Sequence, residues 1–423
     1  MKKLLAMTIA ATLATSATAT SLSDSVTEAL ASHPDLQAAR AGANAAESDI
    51  DVAKGSLRPR LDLNAGIGKE WTRSPGTGQD KVKLSRKELG VNLIWAIYSP
   101  AERGEVARRM GISESTAASL ADVEQQVVLA AAEAYTNLWR TEQQLEIATR
   151  SRAAHETLVD QIGRRVENGV STESELVQAQ GRLALALSNQ TAALANLQDA
   201  RANYHRVVGV IPEQNVTQPA MQWTRPANLD AAVDRAFANH PVIAEGQADV
   251  REAMGQLKSS DALNLPTFTV ELGANRNEDI AGVEGKNRNE FAMLRMNWNL
   301  YAGGANIASE RASESRLEQA KHLLNDAQRE VVDATHQAWN AYNSTNQQLN
   351  YLNRYVQAAA QSREAYAQQF TINRRSLLEV LDAEVELFDA RAAQVNAQAD
   401  NIVADHQLAA SQGDLIRVLG LRQ

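Results

Sequence analysis

The amino-acid sequence contains an internal duplication, which constrains the fold more than any other feature. In each half an alanine stands four residues before a His-Pro pair, at His33-Pro34 and again at His240-Pro241. A chain built from two copies of one unit is expected to fold into the same order of elements twice. Every element predicted in one half must therefore have a counterpart in the other.

The duplication divides the chain after residue 19 into two structural repeats. We expect the first repeat at 20–209 and the second at 229–423, with a linker at 210–228 that contains three prolines. Clusters of proline between periodic segments are typical of loops. The two His-Pro pairs occupy equivalent places, so we interpret them as helix kinks or turns rather than as metal ligands.

Residues 1–19 have the features of a secretory signal peptide. Lys2 and Lys3 precede an apolar run, and the small residues from Ala17 to Ala19 are typical of a cleavage site. No later run approaches the roughly 18 apolar residues that a transmembrane helix needs. If the exported chain crosses a membrane, we therefore expect it to do so with strands.

Four segments alternate apolar and polar residues, a period that predicts strands with one apolar and one polar face. In the first of them, Leu61, Leu63 and Ile67 alternate with residues such as Asp62 and Asn64. We expect strands at about 58–71, 84–98, 265–275 and 290–301. The segments between them are rich in Gly, Asn and charge, as hairpin turns are. Pairing within each repeat should therefore be local and antiparallel.

Most of the remaining sequence predicts long, alanine-rich helices. Two very long helices are expected at about 101–163 and 302–370, and two return helices at about 173–208 and 376–419. Sixty residues in a helix span roughly 90 Å, which is too long to be buried within a compact domain. The helices should therefore form an elongated bundle with coiled-coil spacing of small apolar residues.

The number of strands predicts an oligomer. Membrane barrels start at about eight strands, and an open sheet edge in hydrocarbon leaves backbone groups unpaired at several kcal/mol each. Four aromatic residues lie where the second strand of each repeat leads into a long helix: Trp95, Tyr98, Trp298 and Tyr301. This placement favours an aromatic belt at a membrane interface. Packing of the strand–helix junction is the alternative.

The duplicated order of helix, hairpin, long helix and return helix resembles the TolC family of outer-membrane channel-tunnels over essentially the whole mature chain. The most specific matches are the two helical turns at 168–179 and 372–387. The second resembles the branch that serves type I secretion of large adhesins and agglutination proteins. The resemblance implies a mainly α fold with membrane β-barrel strands, in which a homotrimer forms a twelve-stranded barrel that continues as a periplasmic helical tunnel.

The resemblance also implies roles for residues at the second turn. Glu379 and Asp382 lie three residues apart and hence on one helix face, where the family has acidic constriction rings. Rings of carboxylates attract cations and repel anions. An ordinary solvated charged face at a helix end is the alternative interpretation.

Three further residues fall on positions of the family's network that ties neighbouring coils shut. They are Arg375, Glu175 and Phe370. A guanidinium can hold a carboxylate with two hydrogen bonds, so we predict that Arg375 pairs with Glu175. The match is incomplete, because Asn373 replaces the expected glycine, Phe370 lacks a tyrosine hydroxyl, and glutamate replaces aspartate at 175 and 379.

Nothing in the sequence predicts an enzyme. It has no metalloprotease helix motif, P-loop, nucleophile elbow or dinucleotide-binding glycine pattern, and its seven histidines form no cluster at metal-ligand spacing. We therefore predict no catalytic residue, cofactor or metal. A net charge of -9 and the absence of cysteine also argue against nucleic acid as a partner and against disulfides.

Two functions remain open from the sequence. The first is a passive outer-membrane duct whose partners are outer-membrane lipid, an inner-membrane adaptor (a membrane fusion protein) and an ABC-type or proton-driven exporter. Its cargo would be a secreted protein or a small toxic molecule. The second is a periplasmic coiled-coil adaptor or structural rod. An adaptor should carry one helical hairpin between compact β domains, and its strands need not be apolar along one whole face.

Overall fold

The computed structural model describes residues 21–78, 80–212, 216–372 and 374–421, so the expected signal peptide at 1–19 lies outside the described residues. The chain divides into two compact units. We call the first the helical unit; its described residues lie within 21–37, 122–240 and 331–421. We call the second the sheet unit; it comprises Ala38–Ala121 and Pro241–Glu330.

Both repeats have the predicted order of elements. The first contains α1 (Leu22–Ser32), α2 (Pro34–Gly55), β1 (Arg60–Thr72), β2 (Val82–Tyr98), α3 (Pro100–Glu167) and α4 (Glu173–Val208). The second contains α5 (Leu229–Asn239), α6 (Pro241–Asp261), β3 (Thr267–Ile280), β4 (Val283–Asn297), α7 (Ala305–Thr371), α8 (Leu377–Ala410) and the short α9 (Leu415–Val418). The mainly α fold with two hairpins is therefore confirmed.

The His-Pro pairs end one helix and begin the next. The backbone N–H of His33 donates to Ala29, the N–H of His240 donates to Ala236, and each proline starts a new helix. Proline is well placed there, because the first helical residue needs no N–H donor. The expectation of a kink at both places is confirmed.

Several boundaries differ from the sequence prediction. β3 continues to Ile280 and β4 begins at Val283, so most of the segment expected to be a loop between the strands, 276–289, is paired in the sheet. The second return helix ends at Ala410, because Gly413 turns the chain with a φ of +70° before α9 begins. A side chain there would lie 2.6 Å from the carbonyl oxygen of Asn239. The fourth strand ends at Asn297, so Trp298 lies just beyond the sheet.

The four strands form one antiparallel sheet in the order β1-β2-β3-β4. The pairing aligns apolar residues on one face, for example in the row Leu61, Leu93, Leu272 and Ala292. The other face is polar and carries an ion pair in which Arg295 Nε lies 2.8 Å from Glu271 Oε1. Neither β1 nor β4 has a neighbour on its outer side within the described chain.

In the sheet unit, α3 and α6 approach each other too closely for side chains at their contact. A Cβ on Gly104 would lie 2.4 Å from the backbone nitrogen of Ser259, and one on Gly255 would lie 2.4 Å from that of Arg108. Real Cβ atoms do not come this close, so only glycine fits at these positions. This contact holds the first turns of α3 against α6.

Candidate gate site

The helical unit contains the two turns at which the sequence predicted a gate. The first turn joins α3 to α4 and the second joins α7 to α8. Apolar side chains from all four helices pack beneath the turns in one buried cluster: Leu158, Ile162, Ala179, Phe370, Leu377, Val380 and Leu381. The turns are therefore built on a common core within one chain.

Both glutamates predicted at the gate cap the N-terminus of a return helix. The backbone N–H of Thr172 donates to Glu175 at 2.9 Å, and the N–H of Ser376 donates to Glu379 at 3.0 Å. In return, the N–H of each glutamate donates to the threonine or serine hydroxyl at 3.4 Å. These reciprocal bonds are capping boxes, and the Ser/Thr-x-x-Glu spacing that encodes them is visible in the sequence.

Glu379 has a second partner. Its carboxylate forms an ion pair with Arg375, which lies four residues earlier in the turn before α8. The pKa of Glu379 is lowered from its ordinary value, chiefly by the backbone N–H of Ser376 and then by the Arg375 guanidinium. The carboxylate is therefore ionised near neutral pH, but its charge is partly compensated by its own chain.

The contacts of Arg375 lie within the second turn. Its Nε donates to Gln369 at 3.0 Å, and its guanidinium stacks 4.4 Å from the ring centroid of Tyr366. Within the described part of a single chain, Glu175 is not among its hydrogen-bond or ion-pair partners. The predicted pair of Arg375 and Glu175 is therefore not formed within one chain, and the latch role of these residues stays a prediction. Asn373 lies outside the described residues.

Asp382 forms an ion pair that sequence reasoning missed. The guanidinium of Arg182 on α4 lies 2.9 Å from its carboxylate on α8, so the pair links the two return helices. The two residues are far apart in the sequence and share no motif. No local signal could have identified them as partners.

Phe370 is a core residue of the turns, with 8% of its surface exposed. The guanidinium of Arg165, at the end of α3, lies 4.7 Å from its ring centroid. The Nε of Arg165 also donates to Ser171 in the first turn at 3.2 Å. Arg165 therefore connects the first turn to α7, a role that the sequence did not predict.

The predicted aromatic belt has equivalent contacts in the two repeats. The Trp95 indole donates to the carbonyl of Leu57 at 3.1 Å, and the Trp298 indole donates to that of Asn264 at 3.0 Å. Each bond reaches the segment before the first strand of its own repeat. Tyr98 lies 6.0 Å from the ring of Phe268. These contacts are consistent with the alternative, in which the aromatic residues pack the strand–helix junction. The aromatic belt itself stays a prediction.

Tyr301, the fourth residue of the predicted belt, is 84% exposed. At the opposite end of the sheet Trp71 is 56% exposed, and the Lys83 ammonium lies 5.6 Å from its ring centroid. Trp71 was not predicted, because it lies at the end of its strand next to a loop rich in charge.

Neither a metal centre nor a membrane-spanning helix is found among the residues that the structure describes. They contain no group of three or more His, Cys, Asp or Glu side chains arranged to hold a metal ion. None of their helices is both long and apolar enough to cross a membrane.

Comparisons with known proteins agree with this architecture. A family model described as "Outer membrane efflux protein" matches residues 26–210 and 232–414. The outer membrane efflux protein BepC of Brucella suis biovar 1 is 24% identical over 399 residues, which cover 93% of this chain and 85% of BepC. The outer membrane protein TolC of Vibrio cholerae serotype O1 is 24% identical over 433 residues, which cover 98% of this chain and 96% of TolC.

A solved structure shows the same fold. The outer membrane protein VceC from Vibrio cholerae superimposes with a TM-score of 0.80 at 18% sequence identity. The superposition covers 93% of this chain and 96% of VceC. At this identity the likeness establishes the fold alone.

Proposed function

Because this chain belongs to the outer membrane efflux protein family, we propose that it is the exit duct of a tripartite export system and assembles as a homotrimer. The predicted resemblance to the TolC family and the predicted outer-membrane location are both confirmed. The family consists of transport proteins, so the chain is not an enzyme.

The proposal of a trimer rests on the two faces and the two unpaired edges of the sheet. Its apolar face suits lipid and its polar face suits water, yet both outer edges are unpaired within one chain. In hydrocarbon each unpaired backbone group costs several kcal/mol. Three copies of four strands close a ring of twelve, which lies within the range of known membrane barrels.

The orientation of the sheet in the membrane follows from the strand ends that lead into the long helices. The long helices α3 and α7 follow β2 and β4, at the end of the sheet near Trp95 and Trp298. These helices are too polar for lipid, so this end faces the periplasm. The hairpin turns at the other end then face the outside of the cell.

The gate is proposed at the helical turns. In a trimer Glu379 and Asp382 would recur around the threefold axis, and Arg375 and Arg182 would hold these carboxylates in place. Arg375, Glu175 and Phe370 remain the proposed latch between coils. Exposed ion pairs contribute little stability, which suits contacts that must open when a partner competes.

The proposed partners are an inner-membrane adaptor and an ABC-type or proton-driven exporter. The cargo is either a secreted protein, such as a large adhesin, or small molecules. Resemblance of the second turn to the adhesin branch supports the first, and the name of BepC, an efflux protein, supports the second. The adaptor alternative is not favoured, since the chain has two helical hairpins and one sheet in place of one hairpin between compact β domains.

The test is conduction by the purified protein in planar bilayers. Glu379→Gln with Asp382→Asn removes two negative charges per chain while Gln can still complete the capping box. We expect higher closed-state conductance or a weaker preference for cations, by about twofold or more, because carboxylate rings select cations.

Glu173→Gln is the matched control. Glu173 is exposed in the first turn of α4 and has no predicted gate role. If the double variant and the parent have the same conductance and the same selectivity, the gate assignment is wrong. If the parent is a monomer that stays in solution without detergent, the duct itself is wrong.

A further inference from the structure

The apolar face of the sheet ends in a group of charged residues near the hairpin turns. From Phe268 to Arg276, β3 advances roughly 27 Å at about 3.4 Å per residue. At a strand tilt of about 40° this is about 20 Å along the membrane normal, close to the roughly 25 Å height of an apolar band. Arg276 therefore lies at the outer edge of the lipid-facing surface.

Two arginines lie directly opposite each other at this edge. Arg276 on β3 pairs in register with Arg288 on β4, and their row continues with the apolar Leu89 and Ala65. Both side chains are exposed on the same face. Like charges directly opposite in a sheet are destabilising. An anion bound between them would remove this repulsion.

The surrounding carboxylates compensate the positive charges only in part. We call the following residues the cationic patch: Lys87, Arg276, Lys286 and Arg288, with the carboxylates Glu278 and Glu290. Lys87 pairs with Glu278 at 3.7 Å, and Arg288 donates to Glu290 at 2.8 Å. Among the described residues, no ion-pair partner is within 4 Å of Arg276 or Lys286. The patch therefore has an excess of positive charge.

An apolar hollow lies next to the patch on the same face. Its lining includes the apolar residues Leu61, Val91, Leu93, Leu272, Ala274 and Ala292, and Gly273 and Phe291 also contribute to it. The two alanines are opposite the larger leucines and valine of neighbouring strands, which leaves a depression in the surface. Glu290 lines the end of the hollow and accepts from Arg288. The hollow thus runs directly up to the arginine pair.

We infer that the cationic patch and the hollow together bind a phosphate-bearing lipid of the outer leaflet. The phosphate lies between Arg276 and Arg288, and one acyl chain lies in the hollow. Arginine is suited to this role, because its planar guanidinium donates two parallel hydrogen bonds to phosphate oxygens. Arg288 has donors for both Glu290 and the phosphate, since a guanidinium carries five N–H groups.

The choice of a lipid follows from the position of the patch. The patch is on the apolar face, so a soluble polyanion passing through the duct does not meet it. A second copy of the chain would pair with the sheet edges and leave this face open. The inference rests on the proposed orientation, in which the hairpin turns face outwards.

The test is lipid binding by the detergent-purified full chain, measured by native mass spectrometry. The protein is titrated with phosphatidic acid, which carries a phosphate monoester, and with phosphatidylcholine. We expect a preference for phosphatidic acid that falls about 30-fold in the double variant Arg276→Gln with Arg288→Gln, at about fivefold per cation near a membrane surface.

Two matched variants isolate the phosphate contact. Arg295→Gln removes one arginine from the same sheet but from the polar face, so the lipid preference should stay within about twofold of the parent. Arg276→Lys with Arg288→Lys keeps the charges and should lose less than the Gln variant, because lysine cannot form the paired hydrogen bonds. Should the double Gln variant not fold, each single Gln variant should lose about fivefold.

The inference is wrong if the double Gln variant keeps the parent's preference, or if Arg295→Gln loses as much. It is also wrong if inorganic phosphate at the lipid's concentration displaces phosphatidic acid, since a site for free anions needs no acyl chain. Conductance of the same samples in planar bilayers separates the two proposals. A parent that conducts without lipid preference contradicts only the lipid site, whereas a parent that does not conduct contradicts the duct.

Discussion

The two helical turns are built in the same way but packed differently. Both begin the return helix with a capping box, Thr172 with Glu175 and Ser376 with Glu379. Two residues after each glutamate the repeats diverge, since Val177 is 60% exposed and Leu381 is fully buried. Duplication has therefore preserved the hydrogen bonds that start each helix, whereas burial differs between the copies.

The charged side chains at the two turns also differ in the partners that they have. At the second turn Glu379 pairs with Arg375, and Asp382 pairs with Arg182 of the other return helix. At the first turn, the capping bonds to Thr172 are the contacts of Glu175 in the described chain. Glu175 thus serves as a helix cap, whereas at the second turn the cap is combined with the ion pairs that we assign to the gate.

The largest expected difference between the turns is in packing. Leu381→Ala leaves a cavity in the buried cluster and should lower the free energy of local unfolding at the turns by about 2–5 kcal/mol. Val177→Ala, at the equivalent exposed position, should change it by less than about 0.5 kcal/mol. Hydrogen exchange of backbone amides in α8 and α4 measures both. Equal losses in the assembled protein would mean that a neighbouring copy buries Val177, and that the turns are packed alike.

A smaller effect is expected from the caps. Thr172→Ala and Ser376→Ala each remove the hydroxyl that accepts from the glutamate N–H, which typically costs about 1 kcal/mol. Because the boxes have the same geometry, the two losses should agree within about 0.5 kcal/mol. Hydrogen exchange in the first turn of each return helix is the measurement, with Thr172→Ser as a control that retains the hydroxyl. A cost at only one turn would contradict the view that the caps are equivalent.

The smallest effect is expected from the pair that links the return helices. Arg182 and Asp382 are both partly exposed, so a double-mutant cycle with Arg182→Ala and Asp382→Ala should give a coupling of about 0.2–1 kcal/mol. Hydrogen exchange measures the free energy of local unfolding at the turns for the parent, the two single variants and the double variant. Arg182→Ala with Gln178→Ala, on the α4 side alone, is the comparison cycle and should show no coupling above error. A coupling near zero for Arg182 and Asp382 would mean that solvent competes fully for the pair.

Much of the fold was predictable because it depends on neighbours in the sequence. A period of two predicted the strands, and a long helical pattern predicted α3 and α7, since side-chain direction repeats with the backbone. The capping boxes were also readable, because a hydroxyl and a carboxylate three residues apart satisfy each other's backbone N–H groups. Glu175 and Glu379 were predicted as gate residues only, although their spacing from Thr172 and Ser376 also indicates this capping role.

The partners of the charged side chains were not predictable. Asp382 meets Arg182 only because α4 and α8 pack in one particular register, and Arg375 turns towards Tyr366 and Glu379 within its own turn. By charge alone, many cationic side chains on several helices could have been the partner of Asp382. Surface ion pairs are too weak to impose a register, so the buried cluster determines which of these side chains meet.

The sequence alone determined the order of the elements and the two faces of each strand, because both follow from contacts within a few residues. Only the tertiary structure decided which copy of a repeated position is buried, where α3 and α6 require glycine, and that Arg276 faces Arg288 across two strands. Each of these depends on the registration of segments that are distant in the chain. That registration is set by the summed packing of many side chains, and no local pattern records it.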